Sequence, residues 1–208
     1  ADVLQLSKEG LCGKEISERL EIHLIDVNPI ISREQKSLKE LYLEERKRAI
    51  DLPAEFDQAL GEKNTEVIEL KHKGKKIKVV FLKSDNISMA GWLKSSIGLK
   101  ADVVCTMMSS GYTNILTKQQ RMIDLRWLAV YLRHEETQLR KDMNKRSLQS
   151  LMSPGKMKDI PEWYYDRATN SLLNGGVNPK GIPPTIIPFE RIKAITKEAL
   201  SREIPNYR

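Results

Sequence analysis

Residues 65–82 read TEVIELKHKGKKIKVVFL. Apolar and polar positions alternate along TEVIEL, IKVVFL is rich in β-branched and aromatic residues, and Gly74 sits between them. A period of two on each side of a glycine predicts a β-hairpin with its tip at Gly74. Two further strand pairs follow: DVVCTMM with TNIL around SSGY, then 163–166 with 171–174 around RATN. A helical pattern succeeds each pair. The first is ISMAGWLKSS behind Ser84 and Asp85 as caps; the second is DLRWLAVYLRHEETQLRKDM, opened by Asp124; the third runs from Phe189 to Ser201 behind Pro188. Strand, strand, helix recurs three times, which predicts an α+β domain over residues 61–208. Its sheet is expected to be mixed or antiparallel, with the helices on one face.

Upstream the period changes. Residues 1–60 read as a helical N-terminal region: LSKEGLCGKEISERLEI breaks between Gly10 and Gly13, and a second stretch runs from about Ser32 to Leu52, where Pro53 is expected to end it. Leu6 to Ile22 has the outline of a helix-turn-helix, although this half is acidic where a DNA-reading helix should be basic. The apolar positions from Ile16 to Leu43 offer an alternative use, in assembly with a protein partner or a second copy. Residues 144–161, NKRSLQSLMSPGKMKDIP, read as the longest unstructured piece, a mobile loop or a connector.

Aromatic residues make up only 6% of the chain, yet Trp163, Tyr164 and Tyr165 are consecutive. Strand alternation puts Trp163 and Tyr165 on one face, toward the core, and Tyr164 on the other, where it is the candidate for stacking on a base. Hydrophobic content of 40% with 30% charge indicates a globular chain, and no run of about 18 apolar residues occurs to span a bilayer. The start at Ala1 shows no basic n-region or apolar h-region, so no signal peptide is expected. Cys12 and Cys105 are far apart and without a neighbouring histidine, which fits a reducing cytoplasm, with Cys105 in the core.

The net charge of +7 is uneven: residues 1–70 carry −6, 71–158 carry +12 and 159–208 carry +1. A basic block beside an acidic one suggests a surface for phosphate-bearing partners, or a solvated face balanced by the acidic region. Three places could hold phosphate. Lys71, Lys73, Lys75 and Lys76, with Lys78 alongside, crowd one hairpin, either as phosphate donors or as charges that discourage strand-on-strand aggregation. Arg126, Arg133 and Arg140 recur every seven residues and share a helical stripe, free for an anion or paired with Glu136. Asn174, Gly175 and Gly176 could turn backbone N–H groups toward an anion, or simply turn the chain. His23, His72 and His134 are isolated; nucleophile motifs, a P-loop, a dinucleotide fingerprint and zinc spacing are missing, and neither a cofactor nor a metal is expected.

WYYDRATNSLLNGGVNPKGIPPTIIPFERI and the upstream SDNISMAGWLKSSIGLKADVVCTMMSSGYTNILTKQQRMIDLRWLAVYLRHEE carry a resemblance. Over residues 55–200 the chain resembles the C-terminal region of uncharacterised prokaryotic DHH-type phosphoesterase-like proteins. In those proteins a half with His- and Asp-rich metal signatures precedes this region, and that half is absent here. The resemblance implies a non-catalytic accessory domain that positions a nucleotide or nucleic acid, with phosphoesterase activity only when a metal half is supplied.

Overall fold

A computed structural model of the chain describes residues 14–15, 51–62, 64–141, 146–175 and 181–202. Compactness divides the chain into Ala1–Asp51 and Leu52–Arg208. The expected helix-turn-helix, the Ser32 helix and the apolar positions from Ile16 to Leu43 lie outside the described residues; Lys14 and Glu15, inside, are helical.

The second unit contains the three repeats. Strands β1 (Thr65–His72) and β2 (Lys75–Lys83) precede helix α1 (Met89–Lys94); β3 (Val103–Met107) and β4 (Thr113–Thr117) precede α2 (Arg126–Leu139). A short helix, α3 (Leu148–Met152), then leads to β5 (Tyr164–Asp166), β6 (Ser171–Leu173) and α4 (Phe189–Ser201). The six strands form one mixed sheet in the order β1-β2-β3-β4-β6-β5. Only β2 and β3 are parallel, joined by the crossover through α1, and the other neighbours are antiparallel hairpin partners or antiparallel across β4 and β6.

Helices cover both faces of this sheet, which corrects the one-face expectation. Ile77, Val79 and Phe81 of β2 pack in one cluster with Leu128 and Leu132 of α2 and Ile192 and Ile195 of α4. Val80 and Leu82, pointing the other way, pack in a second cluster with Met89 and Leu93 of α1 and with Leu52, Phe56 and Ala59. The last three lie on a helical segment, 51–61, at a spacing that puts them on one helix face. That segment passes through Pro53, so Pro53 is not the stop that local propensity suggests; burial of the Leu52–Phe56–Ala59 face outweighs it.

Capping also differs. Ser84 and Asp85 do not cap α1: the Ser84 hydroxyl donates to Glu55 Oε1 at 2.8 Å and Asp85 Oδ1 accepts from Ser109 N at 2.8 Å, while Ser88 holds the cap position. The aromatic alternation is as expected, with Trp163 and Tyr165 buried and Tyr164 39% exposed on the opposite face. Cys105 is buried on β3, and burial pushes its thiol pKa up. Among the described residues no helix is long and apolar enough to cross a membrane.

Candidate phosphate-ligand site

Strands β1 and β2 meet in a two-residue turn, with His72 and Lys75 as the closing pair. Lys73 and Gly74 have φ of 47° and 78°, the two positive central angles of a type I′ turn, whose twist suits the flanking strands. Glycine accepts this conformation freely, whereas a lysine there costs about 1 kcal/mol. The hairpin is anchored from behind: His72 is buried, and its Nδ1 lies 2.8 Å from the Leu200 carbonyl at the end of α4.

Lys71, Lys73, Lys75 and Lys76 all face solvent. Lys76 stands 3.9 Å from Glu69 across the hairpin, an exposed pair of little strength, and among the described residues Lys71, Lys73 and Lys75 make no ion pair. Lys78 is withdrawn, its ammonium donating to the Leu99 carbonyl at 3.0 Å. The turn lies near the start of α2. There burial works to raise the Asp124 pKa, but the hydrogen bonds and charge of Arg126, and then the charge of Lys73, bring it below the usual value. Four exposed ammonium groups thus cluster on this anchored hairpin.

The arginines do not form an exposed stripe. Arg126 is half-exposed and held by Asp124, with Nη2 2.6 Å from Oδ2. Arg140 is shared by two carboxylates, Nη2 to Glu162 Oε1 at 2.6 Å and Nε to Glu136 Oε1 at 3.3 Å. Arg133 is fully buried, and its guanidinium donates only to main-chain carbonyls: Leu151 at 2.8 Å and Ser153 at 2.7 Å from Nη1, Gly155 at 2.8 Å and Trp163 at 2.9 Å from Nη2, and Trp163 at 3.2 Å from Nε. All five donors are used. Burial pulls its pKa down to about 10, which leaves it charged at neutral pH.

The seven-residue recurrence thus gives three different environments: Arg133 is covered by the backbone of residues 151–163, whereas Arg126 and Arg140 stay partly exposed and are paired with carboxylates. The same contacts correct the reading of residues 144–161 as unstructured: within the described part, 146–161, α3 forms and Arg133 fastens the carbonyls of Leu151, Ser153 and Gly155.

Asn174 is likewise structural. It is fully buried; its main-chain N–H is spent on the Thr113 carbonyl at 2.9 Å, Oδ1 accepts from Thr185 N at 2.8 Å, and Nδ2 donates to the Pro183 carbonyl at 3.0 Å. Gly175, at φ 69°, is buried too, and Gly176 lies outside the described residues. Asn174 is fully buried and held by these partners, so it is not open to an anion from solvent. Asn174→Asp, which sets a second acceptor against the Pro183 carbonyl, is expected to lower stability by about 2 kcal/mol in urea denaturation and to leave phosphate binding unchanged.

Beside Asn174 a buried polar network continues. Glu136 accepts from Thr185 Oγ1 at 2.5 Å, Trp163 Nε1 at 3.2 Å and Ile186 N at 3.1 Å, besides Arg140. Glu162 is also buried, and desolvation raises its pKa in spite of Arg140. Among the described residues no group of three or more His, Cys, Asp or Glu side chains is placed to hold a metal ion.

No family model matches this chain, and neither does a curated protein or a solved structure.

Sequence reasoning missed Lys94 and Lys118. They come from α1 and from the residue after β4, and among the described residues they line an open groove on the α1 face of the sheet. Nothing linear marks them, because the sheet brings together residues 24 positions apart.

Proposed function

We propose that the α+β unit is a non-catalytic binding module for phosphate-bearing ligands, a nucleotide or a nucleic acid, and that the lysine hairpin makes the contact. The observation that carries this reading is the exposure of Lys71, Lys73, Lys75 and Lys76 on one anchored turn, where among the described residues the one ion pair is the loose contact of Lys76 with Glu69 and Lys73 lies in the field of Asp124. Clustered ammonium groups repel one another, and a phosphate chain relieves that repulsion while releasing its own condensed counterions. Lys73, in the left-handed conformation that the two-residue turn requires, is exposed at the tip.

The resemblance over residues 55–200 extends the proposal. The module then serves as the accessory part of a DHH-type phosphoesterase-like protein in a reducing cytoplasm, presenting the ligand to a metal half supplied elsewhere. An adjoining reading frame with His- and Asp-rich motifs is the expected finding, and one without them would remove this extension while leaving the binding proposal standing.

The alternative use of such lysines is to keep an edge strand from pairing with another chain. Changing Lys73, Lys75 and Lys76 together to Glu separates the two. On the binding reading, labelled single-stranded RNA or DNA binds the variant at least about tenfold more weakly in a fluorescence anisotropy titration, with thermal stability nearly unchanged because the side chains are exposed. Equal affinity of variant and parent would exclude the hairpin as the contact.

A further inference from the structure

Among the described residues, the sheet beyond β4 carries an open groove on the α1 face. Register places Asn114 and Leu116 of β4 beside Leu173 and Ser171 of β6, all pointing away from the larger core, and the end of α1 lines one side. The result is a groove of about 710 Å³ with Leu116 and Leu173 in its floor. This is within the range of small-molecule sites.

Its walls are polar and unevenly satisfied. Lys94, on the last turn of α1, is half-buried, and among the described residues its ammonium has one acceptor, the Thr117 carbonyl at 3.5 Å, and no carboxylate. Burial lowers its pKa. Lys118, Gln119 and Gln120 make no side-chain hydrogen bond among the described residues. The groove's one carboxylate, Asp166, is already engaged: Oδ1 accepts from Ala168 N at 2.9 Å and Thr169 N at 3.4 Å, and Oδ2 from Thr169 Oγ1 at 2.8 Å. Two ammonium groups therefore face a groove whose acid is turned to its own loop.

We propose that this groove is a second ligand site, separate from the lysine hairpin, that takes a mononucleotide-sized phosphomonoester. Lys94 and Lys118 hold the phosphate, the apolar floor takes the flat face of the ring, and the glutamine amides reach its polar edge. A partly desolvated ammonium with one long hydrogen bond gains most from a compact dianion. A neutral nucleoside leaves that charge as it was. The phosphomonoester could be a free mononucleotide or the terminal nucleotide of a strand; both present the same group.

The test uses the full chain, titrated by calorimetry and by amide chemical shifts with uridine 5′-monophosphate, uridine, inorganic phosphate and a 5′-phosphorylated tetranucleotide. The mononucleotide is expected to bind at least about tenfold more tightly than uridine, to shift amides at 94–96 and 116–120, and to lose about tenfold in affinity in Lys94→Met. The triple hairpin variant should keep that affinity, so failure of this site and failure of the hairpin are read separately. Tighter binding of the tetranucleotide than of the mononucleotide, with the same shifts, assigns the site to strand ends; the reverse assigns it to the free nucleotide. No shifts in the groove, equal binding of uridine, or loss of mononucleotide binding in the hairpin variant would overturn the proposal. Should Lys94→Met not fold, Lys118→Met carries the same expectation, and the shift map of the parent decides regardless.

Discussion

Replacing Arg133 with Met is expected to destabilise the protein by about 3–5 kcal/mol, lowering Tm by about 10 °C or more. The side chain is fully buried, and its five N–H donors satisfy the carbonyls of Leu151, Ser153, Gly155 and Trp163. Methionine fills most of the volume and removes the cost of a buried charge, yet it takes the guanidinium donors from the carbonyls of Leu151, Ser153 and Trp163, while the Gly155 carbonyl keeps Tyr165 N at 3.3 Å. Each buried acceptor so stranded costs about 1–3 kcal/mol, partly recovered where the segment swings out to water. Arg133→Lys should fall between, because an ammonium has three donors and cannot fork across both sides of the 151–163 segment. Urea denaturation gives the order parent, Lys, Met. A Met variant as stable as the parent would show that the carbonyls find other partners.

Glu136→Gln is the second large effect, about 2–4 kcal/mol, from a change of one atom. The carboxylate receives Trp163 Nε1 and Thr185 Oγ1 on one oxygen and Ile186 N and Arg140 Nε on the other. An amide must put its NH₂ against one of these pairs of donors whichever way it turns. Either Ile186 N faces a donor, or Trp163 Nε1 does; only the Thr185 hydroxyl can rotate to accept. Arg140 also loses one of its two negative partners. Denaturant midpoints of Glu136→Gln and Glu136→Ala test this: the isosteric amide should lose most of what alanine loses, and a near-neutral amide would contradict the arrangement.

These two side chains show where the sequence was legible. The strand pairs, their turns and the ends of α4 followed from period, from Gly74 and from Pro188, all local signals that the tertiary structure agrees with. The in-out order of Trp163, Tyr164 and Tyr165 followed from strand alternation alone. Cover on two faces did not: Val79, Val80, Phe81 and Leu82 are all fully buried, and such a continuous apolar run marks a strand covered on both sides, where IKVVFL was read as half of a one-sided hairpin.

The candidate site divides the same way. Lysines at a glycine turn are exposed because their neighbours in sequence make the turn, so Lys71, Lys73, Lys75 and Lys76 could be placed without the fold. Arg133 could not. A recurrence of seven fixes which side of α2 a residue occupies, and only the path of residues 151–163 decides that Arg133 meets protein backbone. Asn174 and Thr185 belong to one network through Thr185 N and Glu136. Asn174 and Thr185, within stretches that carry the sequence resemblance, therefore hold the loop from 181 to 188 onto α2 and β4, a structural use that spacing does not distinguish from an anion site.

The most direct measurement of the central proposal is the affinity for a short single strand as a function of salt. If three or four hairpin lysines meet phosphates, log K against log salt falls with a slope of roughly −2 to −3, and the slope of the Lys73, Lys75 and Lys76 triple variant is flatter by about 2. A slope near zero in the parent, or the same slope in parent and variant, would contradict the hairpin as the phosphate contact.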